Sequence, residues 1–295
     1  MRLNLRFYLI LFSFALLAMT ACQKEKPAET PSEPQGNVRA DEAYIKYFGQ
    51  PPLSDQGECF ARVGFFPLRD DPNKVQPVPF FLFNPKNELP LVIERLINLP
   101  TTFPDYVPIF NPFPAGGKLR VGSRDDPLEL DLVLPQEPSK DLLAPMAASL
   151  TETICQLADI KRVRLYLNGS PWPDMPAEGF QHEADRIVAP GPPLPLLVVG
   201  HWEANSPGPD EILIDFDRPI TVNNFELKDE AGQTIKGDYY TSGFDMAVVL
   251  RPQNPQDFKE GTKLQVEWKV TDRFGRVGQG SRVFQLRRYD QNAQQ

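Results

Sequence analysis

The sequence predicts an α+β unit followed by an all-β unit, and three observations carry that prediction. Between Ser139 and Gly169 a helical apolar stripe passes directly into an alternating run. Upstream of it, the order strand, strand, helix is met once already. Downstream of Pro195 come seven short alternating runs without a helical period. The 32 prolines in 295 residues also favour strands joined by stiff loops over a helical bundle.

The chain is long enough for about two domains of ~100–200 residues. It opens with Arg2 and Arg6, followed by an apolar run of 15 residues from Phe7 to Ala21. That run is too short to span a bilayer and fits the apolar core of a signal peptide. It ends Leu17-Ala18-Met19-Thr20-Ala21-Cys22. Small residues before a cysteine resemble the bacterial lipoprotein box, although Met19 stands where Leu is commoner. The resemblance implies lipidation of Cys22, which becomes the mature N-terminus; ordinary secretion with cleavage after Ala21 is the alternative. Acyl chains contribute ~0.8 kcal/mol per buried CH₂, so several make a stable anchor. Gln23, rather than Asp, follows the cysteine, which resembles an outer-membrane sorting address in a cell with two membranes. Residues 1–21 are thus expected to be a leader. Residues 22–43, polar and carrying Pro27, Pro31 and Pro34, are expected to be a flexible tether.

Within residues 44–170, Tyr44, Tyr47 and Phe48 are expected to pack where the tether meets the domain. Cys59–Pro67 and Val75–Phe83 read as strands across a turn at Asp70-Asp71-Pro72-Asn73, with Pro77 and Pro79 marking the second as an edge or broken strand. Leu89, Val92, Ile93, Leu96 and Ile97 form a helical stripe. Lys118–Ser123 and Leu128–Leu134 are a second strand pair across Asp125-Asp126-Pro127. Leu143, Ala147, Leu150, Ile154 and Leu157 then form the stripe of the long helix, with Pro145 expected in its first turn. Val163, Leu165 and Leu167 alternate with Arg162, Arg164 and Tyr166, and Asn168-Gly169 ends the strand with a turn signal. The order β-β-α-β-β-α-β suggests an α+β sandwich with helices on one sheet face.

The last helix and strand resemble the end of a GerMN domain, a module named from spore-germination and sporulation proteins. There a "TLT"-type helix, here Ser149-Leu150-Thr151-Glu152-Thr153, leads into a "V-x-V-x-x-x-V-x-G" strand. The resemblance covers roughly residues 57–170. One insertion departs from it. Pro100, Pro104, Pro108 and Pro112 recur every four residues, interleaved with Phe103, Tyr106, Phe110 and Phe113. This is either a rigid exposed loop that binds a partner through its rings or an aromatic flap over the domain's own sheet.

Residues 171–195 are proline-rich and are expected to link the two domains. The runs beyond are Leu196–Trp202, Glu211–Phe216, Asn224–Leu227, Thr234–Tyr240, Met246–Arg251, Leu264–Val270 and Val283–Arg287, the pattern of an antiparallel sandwich over residues 196–290. Phe216-Asp217-Arg218-Pro219-Ile220, Glu260-Gly261-Thr262-Lys263-Leu264 and Thr271-Asp272-Arg273-Phe274-Gly275 resemble blocks of bacterial Ig-like domains, with Leu264 in place of the usual Tyr.

Net charge is −8, or −10 without Arg2 and Arg6, which disfavours nucleic-acid partners. With Cys22 used, Cys59 and Cys155 are either a disulfide or two buried thiols. The only histidines, His182 and His201, lack metal-ligand spacing, and no phosphate loop or nucleophile elbow is present, so neither catalysis nor a metal or cofactor is expected. Trp172, Trp202 and Trp268 are either core residues or a glycan-stacking surface. The resemblances imply a lipid-anchored, non-enzymatic protein of the cell envelope, on the periplasmic side of the outer membrane if the cell has two membranes. Its first domain would dock an envelope protein in a septal, sporulation-like or signalling complex, and the Ig-like domain would be a spacer or second contact. Peptidoglycan is the alternative partner.

Overall fold

A computed structural model describes residues 38–53, 58–83, 88–98, 103–123, 125–157, 160–204 and 206–289. The leader, Cys22 and the tether up to residue 37 lie outside them. The fold is mixed, with strands predominating over helices.

The α+β region consists of β1 (Val38–Ala40), α1 (Glu42–Phe48), β2 (Cys59–Pro67), β3 (Val75–Phe83), α2 (Glu88–Ile97), β4 (Lys118–Val121), β5 (Leu128–Val133), α3 (Lys140–Cys155), β6 (Arg162–Leu167), β7 (Ser170–Pro171) and β8 (Phe180–Gln181). The expected order of strands and helices runs from β2 to β6. The strands, however, form two sheets, not one: β1-β2-β3, and β4-β5-β6-β7 with β8 also on β6. Proline explains part of the separation. Pro77 and Pro79 pair across from Phe65 and Val63, so the outer edge of β3 lacks two donors that a further strand would need.

The first sheet is covered on both faces, which is why β2 is apolar almost throughout. On one side Phe66, Val78 and Phe80 join Ile93 and Leu96 of α2 and Leu130, Leu150 and Ile154 in the main core. On the other, Ala61, Val63 and Phe65 pack beneath Tyr44, Tyr47 and Phe48 of α1. Asp41 caps α1 by accepting from the Tyr44 amide at 2.7 Å. At Gly64 an added Cβ would lie 2.2 Å from the Phe80 ring, so that position admits no side chain.

Helix α3 starts at Lys140, earlier than expected, and Pro145 sits inside it. The proline removes only the bond to the Asp141 carbonyl, at the exposed end of the helix, so the cost is local.

The second region holds β9 (Pro195–His201), β10 (Glu211–Phe216), β11 (Thr221–Lys228), β12 (Gly237–Thr241), β13 (Ala247–Pro252), β14 (Lys263–Thr271), β15 (Val277–Gln285) and β16 (Arg287–Arg288). They form a five-stranded sheet, β12-β13-β10-β9-β16, facing a three-stranded sheet, β11-β14-β15. Val198, Ile212, Ile214 and Leu250 from one sheet and Leu227, Leu264, Val266 and Val270 from the other fill the space between. Between the two regions, residues 171–195 are bonded along their length. β7 and β8 extend β6, and the Val188 amide donates to Val75 at 2.8 Å. No helix among the described residues is long and apolar enough to cross a membrane.

Candidate functional site

Helix α3 is the element on which the first region is built, and its buried face is partly polar. Strand β1 covers only Cys59–Ala61 of β2, leaving the backbone of residues 63–65 without a strand on that edge. Side chains of α3 take the place of that strand. The Ser149 hydroxyl donates to the Phe65 carbonyl, the Thr153 hydroxyl accepts from the Phe65 amide at 2.9 Å, and the Gln156 amide donates to the Val63 carbonyl. Spacing of four and three residues puts all three on one helical face. Ser149 and Thr153 are fully buried and satisfy backbone groups that would otherwise be costly. The "TLT"-type segment therefore has a structural role: its hydroxyls seal a sheet edge. A sequence signal was present, since polar residues recur at helical spacing on the buried side, but their partners lie 84–93 residues away.

One turn along, Glu152 is buried and its two oxygens meet His182 Nδ1 at 2.5 Å and the Glu183 amide at 3.0 Å. Burial pushes the carboxyl above its ordinary value, against the Glu183 amide and the His182 ring, which favour its charged form. Cys155 lies on the next turn, where its thiol faces the Lys161 carbonyl at 3.6 Å. Burial pushes this thiol up to about 12, so it is protonated at neutral pH. Glu152, Cys155 and His182 thus look like parts of a nucleophilic site, but the sulfur is held protonated, and the carboxylate and imidazole instead fasten the segment after β8 to α3. Sequence reasoning placed His182 alone on the linker and missed this pair.

A cleft of about 550 Å³ opens over the first half of α3. Leu143, Ala144 and Ala147 of α3 line it together with Leu167, Trp172 and Phe180. Glu137, Lys140, Asp174 and Arg186 line it as well. Apolar lining with a few charged groups is the ordinary composition of a binding cleft. No group of three or more His, Cys, Asp or Glu among the described residues could hold a metal ion.

The residues singled out from the sequence are dispersed. Cys59 and Cys155 are both free thiols, so the disulfide is not formed; Cys59 is buried on β2, whereas Cys155 sits at the far end of α3. The aromatic segment is the flap of the two readings, not an exposed partner-binding loop. Val107, Ile109 and Phe113 are buried in the main core, and Phe103 meets Phe66 edge-on with ring centroids 5.4 Å apart. Tyr106 turns to the β region: its hydroxyl donates to the Pro195 carbonyl at 2.7 Å, its ring meets Phe284, and the Arg282 guanidinium lies 3.6 Å from its centroid. Phe110 is partly exposed, with its amide bonded to the Pro67 carbonyl. The segment lies along the end of β2, where Ile109 bridges Leu68 and Arg69 donates to the Val107 carbonyl at 3.0 Å. Trp172 and Trp268 are core residues, while Trp202 is partly exposed with Arg288 over its ring.

Residues 64–172 match a family model described as "Germane: Sporulation and spore germination". Among solved structures, the first GerMN domain of the sporulation protein GerM from Bacillus subtilis is 20% identical, covering 42% of this chain and 93% of that one, with a TM-score of 0.33. The tandem GerMN domains of the same protein are 16% identical over 60% of this chain and 58% of that one, with a TM-score of 0.32. CopC from Methylosinus trichosporium OB3b is 14% identical over 32% of this chain and 87% of that one, with a TM-score of 0.22. No curated protein matches the chain. The domain assignment rests on the family match.

Proposed function

Residues 64–172 are a GerMN-type domain, and from that premise we propose that the chain is a lipid-anchored protein of the cell envelope that docks a protein partner without catalysing a reaction. The family's description places the related process in sporulation and germination, which suggests an envelope assembly as the setting. The observation that carries the docking reading is the cleft over α3, lined by apolar side chains with a few charged ones, most of them within the matched segment. Cys22 is the anchor in this reading, and the β region is an immunoglobulin-like spacer or second contact.

The test is a photo-crosslinking residue at Ala144, in the cleft, against a control at Glu230, in an exposed turn of the β region. A discrete protein adduct in the native envelope from Ala144 alone is the expected result. Adducts from both positions alike, or an adduct to peptidoglycan from Ala144, would overturn the proposal. The anchor is tested separately: Cys22→Ala is expected to leave the membrane fraction without acyl modification, and acylated Cys22→Ala protein would exclude it.

A further inference from the structure

An edge strand leaves a row of backbone donors and acceptors without partners, and proteins usually blunt such an edge with proline, charge, a bulge or brevity. Most edges of this chain are blunted in that way. The outer edge of β3 carries Pro77 and Pro79, β4 is four residues long with Lys118 and Arg120, and β12 is five residues long with Asp238. β11 breaks register between Val222 and Asn224, and the Ile235 amide donates to its Leu227 carbonyl at 2.8 Å.

Among the described strands, β15 is not. It is nine residues long, ends the β11-β14-β15 sheet and pairs with β14 in continuous register. Bonds just beyond each end of the ladder fix which way its backbone points. The Asp272 amide donates to the Arg276 carbonyl at 3.1 Å, and the Leu286 amide to the Thr262 carbonyl at 2.8 Å. Arg276 and Leu286 thus turn toward β14, and alternation turns the even-numbered residues between them the same way. The N–H and C=O groups of Val277, Gln279, Ser281, Val283 and Gln285 therefore point away from β14, where no described backbone group bonds them. None of the five is charged or a proline. Gln279 to Val283 are all exposed, whichever face of the sheet they occupy.

The side chains along this edge differ between the two faces of the sheet. On the face turned away from the core lie Val277 and Val283, 45% and 58% exposed. On the face of Phe284 lies Arg282, exposed, with its guanidinium over the Tyr106 ring and no ion pair among the described residues. Glu267 of β14 does not serve it, because that carboxylate pairs with Lys228 at 2.9 Å. The edge therefore offers a free cation on one face and apolar side chains on the other, in a chain whose net charge is −8.

We propose that β15 takes up an extended segment of a partner protein as an added strand, one whose side chains alternate between apolar and acidic. The backbones pair along the edge, the apolar side chains lie beside Val277 and Val283, and a carboxylate meets Arg282. This contact is separate from the cleft over α3 and does not depend on it. Fluorescence anisotropy with the full chain in detergent tests it, using a short fluorescein-labelled peptide that alternates valine and glutamate. Saturable binding is expected. The same peptide methylated at two adjacent central backbone amides, which blocks a donor on either of its edges, should bind about tenfold more weakly, and so should a valine–lysine peptide. Gln279→Pro removes an outward donor that β14 does not use and follows a glycine, so binding should weaken about tenfold while the melting temperature hardly moves. Arg282→Glu should reverse the preference between the glutamate and lysine peptides. Should Gln279→Pro fail to fold, the methylated peptide decides alone. No saturable binding, equal binding of the methylated peptide, or a folded Gln279→Pro protein that binds undiminished would overturn the proposal. So would a dimer in sedimentation equilibrium that Gln279→Pro abolishes, because the edge would then serve a second copy of the chain.

Discussion

Thr153 and Glu152 are adjacent polar residues on a buried helix, and each answers a different demand. Thr153 accepts from the Phe65 amide at a sheet edge that no strand covers. Thr153→Val preserves the volume but leaves that amide buried and unpaired, so it is expected to lower stability by about 1–3 kcal/mol. The urea midpoint should fall with the slope unchanged, and Thr153→Ser, which keeps the accepting hydroxyl, should avoid most of the loss. Glu152 titrates above an ordinary glutamate because it is buried. Between the ordinary and the raised value the folded protein therefore binds more protons than the unfolded chain, and stability falls as pH rises through that window. Glu152→Gln can still accept from the Glu183 amide, so its pH–stability curve should be flatter there. An unchanged curve would show that the segment after β8 carries the charge without strain.

At the scale of elements, the apolar stripes were legible and the polar contacts were not. Ala147, Leu150 and Ile154 are buried as their spacing requires, and the strand pairs on either side of the two acidic turns form where alternation placed them. A helical stripe reports which side is buried, but it carries no record of the strand lying against it. The division into two sheets was illegible for the same reason, since sheet membership depends on pairing between distant segments. The aromatic segment shows the limit most clearly: its composition was consistent with both exposure and cover, with cover favoured. The structure assigns different weights to its rings. Phe113→Ala, in the core, should cost about 3–5 kcal/mol and lower the melting temperature sharply, whereas Phe110→Ala, partly exposed, should cost much less. Gly64→Ala tests the sheet beneath. Its methyl group would overlap the Phe80 ring, with an expected cost of about 1–3 kcal/mol that Phe80→Leu should partly relieve.

For the whole molecule, the described residues form one compact unit, and a small set of groups joins its two regions. Phe81 stacks on Phe244 with centroids 4.5 Å apart, and Tyr106 reaches the Pro195 carbonyl. Another part of the junction is ionic. Arg218 is buried between Asp217 and Asp272 and donates to the Gly191 carbonyl at 2.8 Å. Arg276 pairs with Asp272 at 2.6 Å and donates to the carbonyls of Pro190 at 2.8 Å and Tyr47 at 3.0 Å. Asp272 also accepts from the amides of Phe274 and Arg276, which fixes the tight turn before β15. Two of the blocks that resembled Ig-like signatures thus hold Arg218 and Asp272, and Arg276, directly after the second of them, bonds the proline-rich segment and α1 to the β region. Removing one partner from such a buried network strands the other charges, and Arg218→Ala should cost about 3–5 kcal/mol. Arg276 is different, because two of its three side-chain hydrogen bonds go to backbone outside the β region. Arg276→Lys keeps a charge near Asp272 but has no planar fork to span both carbonyls. Calorimetry of the native chain should show one cooperative transition, and Arg276→Lys should separate the melting of the two regions while the β region itself loses little stability. A single transition displaced as a whole would mean that Arg276 acts only inside the β region, leaving the aromatic contacts at Phe81 and Tyr106 to couple the halves.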